Sequence, residues 1–186
     1  MVGKHHFRVE RKIRSYRFKD DLGGPDSWDG DHNAKNNLQD VGILYNGGQE
    51  VFRFPLQTVA NMPGARHTDT VAPGAFSIKW DVERRNFKGP IHGIVGAYDQ
   101  DGQMIDKDSV QTIPGKNGAP ADWARWIFCH STRKNAPAPD GEVTRFAWSA
   151  GCFITTPNAQ DALYQLGNMR GFVPGDLIPC VLVEVP

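Results

Sequence analysis

The chain has 186 residues, 39% of them hydrophobic and 23% charged, with 21 Lys and Arg against 21 Asp and Glu. That balance excludes a disordered tail and gives no basic excess for a nucleic-acid partner, and no stretch approaches the ~18 apolar residues of a membrane span. The three cysteines, Cys129, Cys152 and Cys180, are an odd number, which argues against a disulfide framework and leaves at least one thiol free or paired with another chain.

The 20 glycines and 13 prolines call for many turns, and so for strands more than a helical bundle. The first residues, 1–8, are positively charged but carry no apolar run, so no secretory signal is read there. Residues 4–18 alternate loosely and predict an early strand. Residues 19–40 are rich in Asp and Gly and read as a solvated surface insertion. The apolar runs 41–45 and 51–56 flank Asn46-Gly47, a hairpin signal, because Asn-Gly accepts the positive φ of a type I′ turn. Residues 75–78 follow Pro73-Gly74 as another strand. Residues 91–98 and 103–105, around Asp101-Gly102, predict a second hairpin. The span 106–122 reads as a loop, 123–129 becomes β-like at its end, and 133–142 is a loop with Pro137, Pro139 and Gly141. Residues 157–166 are the clearest helix, with Thr156 as N-cap, Pro157 at the first helical position and Gly167 as the C′ glycine. Residues 177–185 close as a buried strand. The expectation is a single mainly β domain over 1–186, with one or two helices and a polar insertion near 19–40.

Chemistry concentrates in two stretches. Trp126-Ile127-Phe128-Cys129-His130-Ser131 delivers a histidine at a strand end. Phe146-Ala147-Trp148-Ser149-Ala150-Gly151-Cys152-Phe153-Ile154 then delivers a cysteine on a small-residue turn before the helix. A thiol with a pKa of about 8.5 needs an activator at neutral pH, and an imidazole supplies one by taking the proton and returning it to a leaving amine. Ser149, Ala150 and Gly151 let backbone N–H groups approach a tetrahedral oxyanion.

These residues resemble the L,D-transpeptidase (YkuD-like) signature, a His-Ser or His-Gly pair, a loop, then Ser/Thr-His-Gly-Cys. Val71-Ala72-Pro73-Gly74-Ala75-Phe76 and Phe172-Val173-Pro174-Gly175-Asp176 look like further parts of that family's pattern. The resemblance implies an L,D-transpeptidase-like β-sandwich or barrel that works without cofactor or metal on peptidoglycan stem peptides, at the cell wall or periplasm. It implies Cys152 as nucleophile, His130 as base and the Ser131 carbonyl holding His130. Transfer of the resulting thioester to an amine is cross-linking, and transfer to water is carboxypeptidase activity. The chain departs at Ala150, where the family usually has a second histidine, and at Ile154, where it usually has Asn or Arg.

Competing readings stand beside this one. Cys152 or His130 can be a plain core residue, as Cys129 and Cys180 are expected to be. Tyr98 and Trp148 read as packing residues. His92, in a second His-Gly pair, competes as base and is expected to line the cleft. Asp99, Asp101 and Asp108 resemble part of a calcium loop, but Ala97 stands at its first ligand position, so a turn is expected. His67, Asp69 and His92 lack zinc-motif spacing. Two functional rivals are a binding module with a decayed site and a cysteine hydrolase using another acyl donor. Oligomeric state and export route are not encoded in any motif.

Overall fold

The computed structural model describes residues 4–13, 38–60, 69–83, 89–98, 101, 103–106, 108–114, 120–131, 149 and 151–186. Most of the polar insertion, all of the 133–142 loop, Ala150 and Trp148 lie outside them.

Strand β1 (His5–Lys12) alternates, burying His5, Phe7, Val9 and Arg11 on one face. Arg11 is satisfied within the fold. Its Nε donates to Thr58 Oγ1 at 2.9 Å and its Nη2 to the carbonyls of Val71 and Thr58 at 2.8 and 3.2 Å. Strands β2 (Asp40–Asn46) and β3 (Gln49–Leu56) form the expected hairpin. Its two-residue turn is Gly47-Gly48, with φ of 57° and 86°, while Asn46 stays in the ladder opposite Gln49. Both turn residues need positive φ, which two glycines adopt without steric cost.

Strands β4 (Gly74–Lys79), β5 (Ile91–Tyr98) and β6 (Met104–Asp106) follow, β5 and β6 making the second hairpin. The predicted loop 106–122 contains a short strand, β7 (Ser109–Gln111), paired with β8 (Trp123–Arg125). The chain then breaks at Trp126 before β9 (Phe128–Ser131). Strand β10 (Phe153–Thr155) leads into α1 (Pro157–Met169), whose Thr156 Oγ1 accepts from Ala159 N at 3.1 Å, with Pro157 in the first turn. The helix runs past the predicted Gly167 to Met169, and the positive-φ glycine after it is Gly171, at 81°. Strand β11 (Leu177–Val185) is half-buried and alternating rather than buried throughout.

The main sheet runs β10-β9-β5-β4-β11-β1-β2-β3, with β6 on β5. Its ends meet. Gln57, just past β3, and Ile154 in β10 exchange two backbone hydrogen bonds of 2.8 Å, so the sheet is a nearly closed barrel. Phe76, Trp80, Ile94, Phe153, Leu163 and Ile178 are among the residues filling its core. The described residues are therefore mainly β with one helix, as the sequence predicts. No helix among them is long and apolar enough to cross a membrane.

Candidate active site

Strands β9 and β10 run parallel with Phe153 beside Cys129, Ile154 beside His130 and Thr155 beside Ser131. Side chains in register share a face and successive ones alternate. Cys152, two residues before Ile154, thus falls on the face of His130, at roughly 8 Å between Cα atoms from the strand spacing and rise. Packing agrees with the register. Cys152 and Leu38 sit against Ile154, whereas Cys129 and Phe153 belong to the main core. Ile154 itself is nine-tenths or more buried and carries the barrel closure, which accounts for an apolar residue there.

The turn before Cys152 is held from both sides. Ser149 Oγ donates to the Cys152 carbonyl at 2.7 Å and accepts from Gly151 N at 2.9 Å. Gly151 has φ of 124°, and a Cβ there would fall on the Asp69 carbonyl oxygen and within 3.1 Å of Ile127 Cδ1. The glycine is therefore required by backbone angle and by close approach together. Its N–H, read from sequence as an oxyanion donor, is already committed to Ser149. Ala150 lies outside the described residues.

His130 is buried, and its Nδ1 lies 2.8 Å from the Ser131 carbonyl oxygen. A carbonyl only accepts, so Nδ1 donates in this contact and carries a proton. The other two thiols are poor nucleophiles. Burial pushes Cys129 up to about 12, with the nearby Cys152 adding to the rise, and burial raises Cys180 well above the usual thiol range. Cys152 is the half-buried one of the three.

His92 does not join this group. It pairs with Cys129 in the β5–β9 ladder, so it faces away from His130, and it is 0% exposed. It stacks on Trp80 at 4.0 Å between ring centroids, and its Nδ1 accepts from Asp81 N at 3.0 Å. The expectation that it lines a cleft is therefore not met by its position. Burial holds the imidazole neutral and pushes its pKa down to about 3. A depressed folded pKa means the unfolded chain binds the extra proton first. His92 thus weakens the fold as pH drops from its ordinary value toward 3, by about 1.4 kcal/mol per pH unit. Thermal unfolding at about pH 7 and about pH 4.5 checks this. Wild type is expected to lose more stability between them than His92→Gln, and equal losses would remove His92 as the cause.

A cleft of about 450 Å³ opens on the same face of β4, β5 and β9 as His130. Gly93, Val95, Ile127 and Phe128 floor it, and Lys79, Glu83, Asp108, Arg125 and Trp126 surround it. Sequence reasoning weighed only Asp108 among them, for a calcium loop that it set aside, because they are scattered over four segments and form no motif. The one local signal, Arg125-Trp126 just before the His130 strand, has no meaning until Trp126 is known to break that strand. Among the described residues, no group of three or more His, Cys, Asp or Glu side chains is placed to hold a metal.

No family model matches the chain. The crystal structure of Mycobacterium tuberculosis L,D-transpeptidase 1 is similar over 96% of this chain and 62% of that one, at 10% identity and a TM-score of 0.32. The chain thus spans less than two thirds of that solved protein. An uncharacterized protein of Treponema pallidum (strain Nichols) is 30% identical over 187 aligned residues, covering 95% of this chain and 79% of the relative. At that identity and coverage, the chain belongs to the family of the Treponema pallidum protein.

Proposed function

We propose that this protein is a cysteine acyl-transfer enzyme acting on peptidoglycan stem peptides, as an L,D-transpeptidase or L,D-carboxypeptidase. The observation that carries the reading is the pairing of β9 with β10, in whose register the half-buried Cys152 and the Nδ1-protonated His130 fall on one face. The His-Ser and Ser-x-Gly-Cys residues that resemble the L,D-transpeptidase signature name the substrate class. Such a substrate puts the activity at the cell wall or periplasm.

In this reading, His130 Nε2 takes the Cys152 proton as Sγ bonds to a stem-peptide carbonyl carbon. The tetrahedral oxyanion collapses, the C–N bond to the terminal D-alanine breaks, and His130 returns the proton to the leaving amine. The Cys152 thioester then passes its acyl group to an incoming amine or to water, whose proton goes back through His130. The Ser131 carbonyl holds the tautomer this cycle needs, and Ser149 holds the turn that presents the thiol.

The test is mass spectrometry of purified muropeptides incubated with wild type and with Cys152→Ala. Tetrapeptides are expected to become tripeptides or cross-linked dimers with wild type alone. Muropeptides left unchanged by wild type, with a Cys152 that alkylates no faster than a free thiol at neutral pH, would end the reading.

A further inference from the structure

Strand β1 turns Phe7, Val9 and Arg11 inward in succession, so a guanidinium takes a position of the kind that Phe and Val fill. Arg11 is 3% exposed. Taking a charge out of water is costly, and a well-packed apolar residue there would avoid that cost. The arginine is accounted for by what its planar fork holds together. Its partners belong to two segments. Nε and Nη2 donate to the hydroxyl and the carbonyl of Thr58, just past β3. Nη2 also donates to the carbonyl of Val71, which precedes β4. The Thr58 hydroxyl donates in turn to Asp40 Oδ2 at 2.6 Å, and Asp40 accepts from Thr58 N and Lys12 N as well. Glu184 Oε1 lies 3.8 Å from Arg11 Nη1. Ala60 N donates to Thr70 Oγ1 at 3.0 Å and ties the same two segments a second time.

Each of the two segments meets the thiol turn, one on either side of Cys152. Gln57, next to Thr58, exchanges its two backbone hydrogen bonds with Ile154, two residues after Cys152. Asp69, two residues before Val71, sets its carbonyl against Gly151, directly before Cys152. The Arg11 fork thus spans the two stretches of backbone between which the thiol is presented.

We propose that Arg11 is a positioning residue for Cys152, locking 57–58 to 69–71 so that the two segments hold the turn 149–154 from both sides. Arg11 acts through backbone and touches no reacting atom. Thr58 and Asp40 complete the tie by fixing the fork. The assignment deepens the acyl-transfer reading and rests on it for the use made of the thiol, while the hold itself is a property of the fold.

The experiment compares wild type with Arg11→Met, which keeps the side chain's length and removes these three hydrogen bonds. Gly167→Ala is the control, since its methyl would strike Trp80 and destabilise the fold without touching the tie. Two quantities are read by mass spectrometry: amide hydrogen exchange of the peptide 149–155, and alkylation of Cys152 by iodoacetamide against pH. Arg11→Met is expected to speed that exchange about tenfold beyond the control, the scale of one lost hydrogen bond to a charged group. Its Cys152 profile is expected to move to higher pH, with alkylation at neutral pH about tenfold slower. Arg11→Lys keeps the charge without the fork and is expected to follow Arg11→Met. If Arg11→Met does not fold, Thr58→Val takes its place, removing the hydroxyl between Arg11 and Asp40 at nearly constant shape. Exchange that rises no more than in Gly167→Ala, a Cys152 profile that stays with wild type, or full retention of both by lysine overturns the assignment. The muropeptide assay on wild type is separate. Muropeptides left untouched while both quantities move in Arg11→Met leave the tie standing and end the acyl-transfer reading. Muropeptides processed while neither quantity moves do the reverse.

Discussion

Gly151→Ala is expected to lose about 3 to 5 kcal/mol of stability and to abolish the reactivity of Cys152. Two costs combine. At φ of 124° an alanine occupies backbone space that suits glycine almost alone, at about 1 to 3 kcal/mol. Its methyl would also fall on the Asp69 carbonyl oxygen, which is backbone and cannot swing aside as a side-chain tip can. Relief requires the 149–152 turn to move off Asp69, and the Ser149 hydrogen bonds to Gly151 N and the Cys152 carbonyl move with it. Urea unfolding reads the first effect, and the rate of iodoacetamide alkylation against pH reads the second. Ser149→Ala separates them, since it removes the side-chain clamp and leaves the backbone angle intact, and should cost about 1 to 2 kcal/mol. A Gly151→Ala protein with wild-type stability and alkylation would show that the turn is not held against Asp69.

Gly167→Ala reverses a familiar sign. In an exposed helix interior, this exchange stabilises by about 1 kcal/mol, because alanine has less backbone entropy to lose. Here the new methyl would overlap the six-membered ring of Trp80 and come within 2.9 Å of Phe172. Trp80 has nowhere to go. It is 0% exposed and lies flat against His92 on one side and near-parallel to Tyr164. Overpacking of a filled core costs about 1 to 3 kcal/mol and more when no neighbour yields, so a net loss of about 2 kcal/mol is expected. Trp80→Phe removes the ring that is struck. The double variant Gly167→Ala with Trp80→Phe should therefore be more stable than the two single losses added together, by about 1 kcal/mol or more. Thermal melts of the four proteins give that coupling directly, and strict additivity would refute the contact.

The strands were legible from turn signals set against apolar runs, Asn46-Gly47 between 41–45 and 51–56 and Asp101-Gly102 after 91–98, and from the loose alternation of residues 4–18. Strand β7 has three residues and no room for a period. The helix end was misread by one turn, since Gly167 follows the apolar Leu166 where a C′ glycine belongs, and only packing against Trp80 shows that it lies inside the helix. His130 and Cys152 could be picked out as residue types near turns, but that they share a face follows from the β9–β10 register, which no local pattern encodes. The same register separates His92 from them. Its His-Gly pair made it a competitor for the role of base in sequence, and the difference is one residue of phase in the ladder. The left-handed Trp126 left no trace, because strain is written in backbone angles and not in residue type.

Strand β11 lies between β4 and β1, parallel to β1, so residues 5–12 find their partner only at 177–185. The barrel has no middle until its last strand is in place. While residue 185 is still unmade, β1 with its hairpin and β4 with β5 are two half-sheets with open inner edges, each offering unpaired backbone to whatever is near. Pairing across such a separation is slow, because the whole intervening chain must be gathered first. Loss of the final strand should cost the cell a sticky intermediate rather than a merely weaker protein.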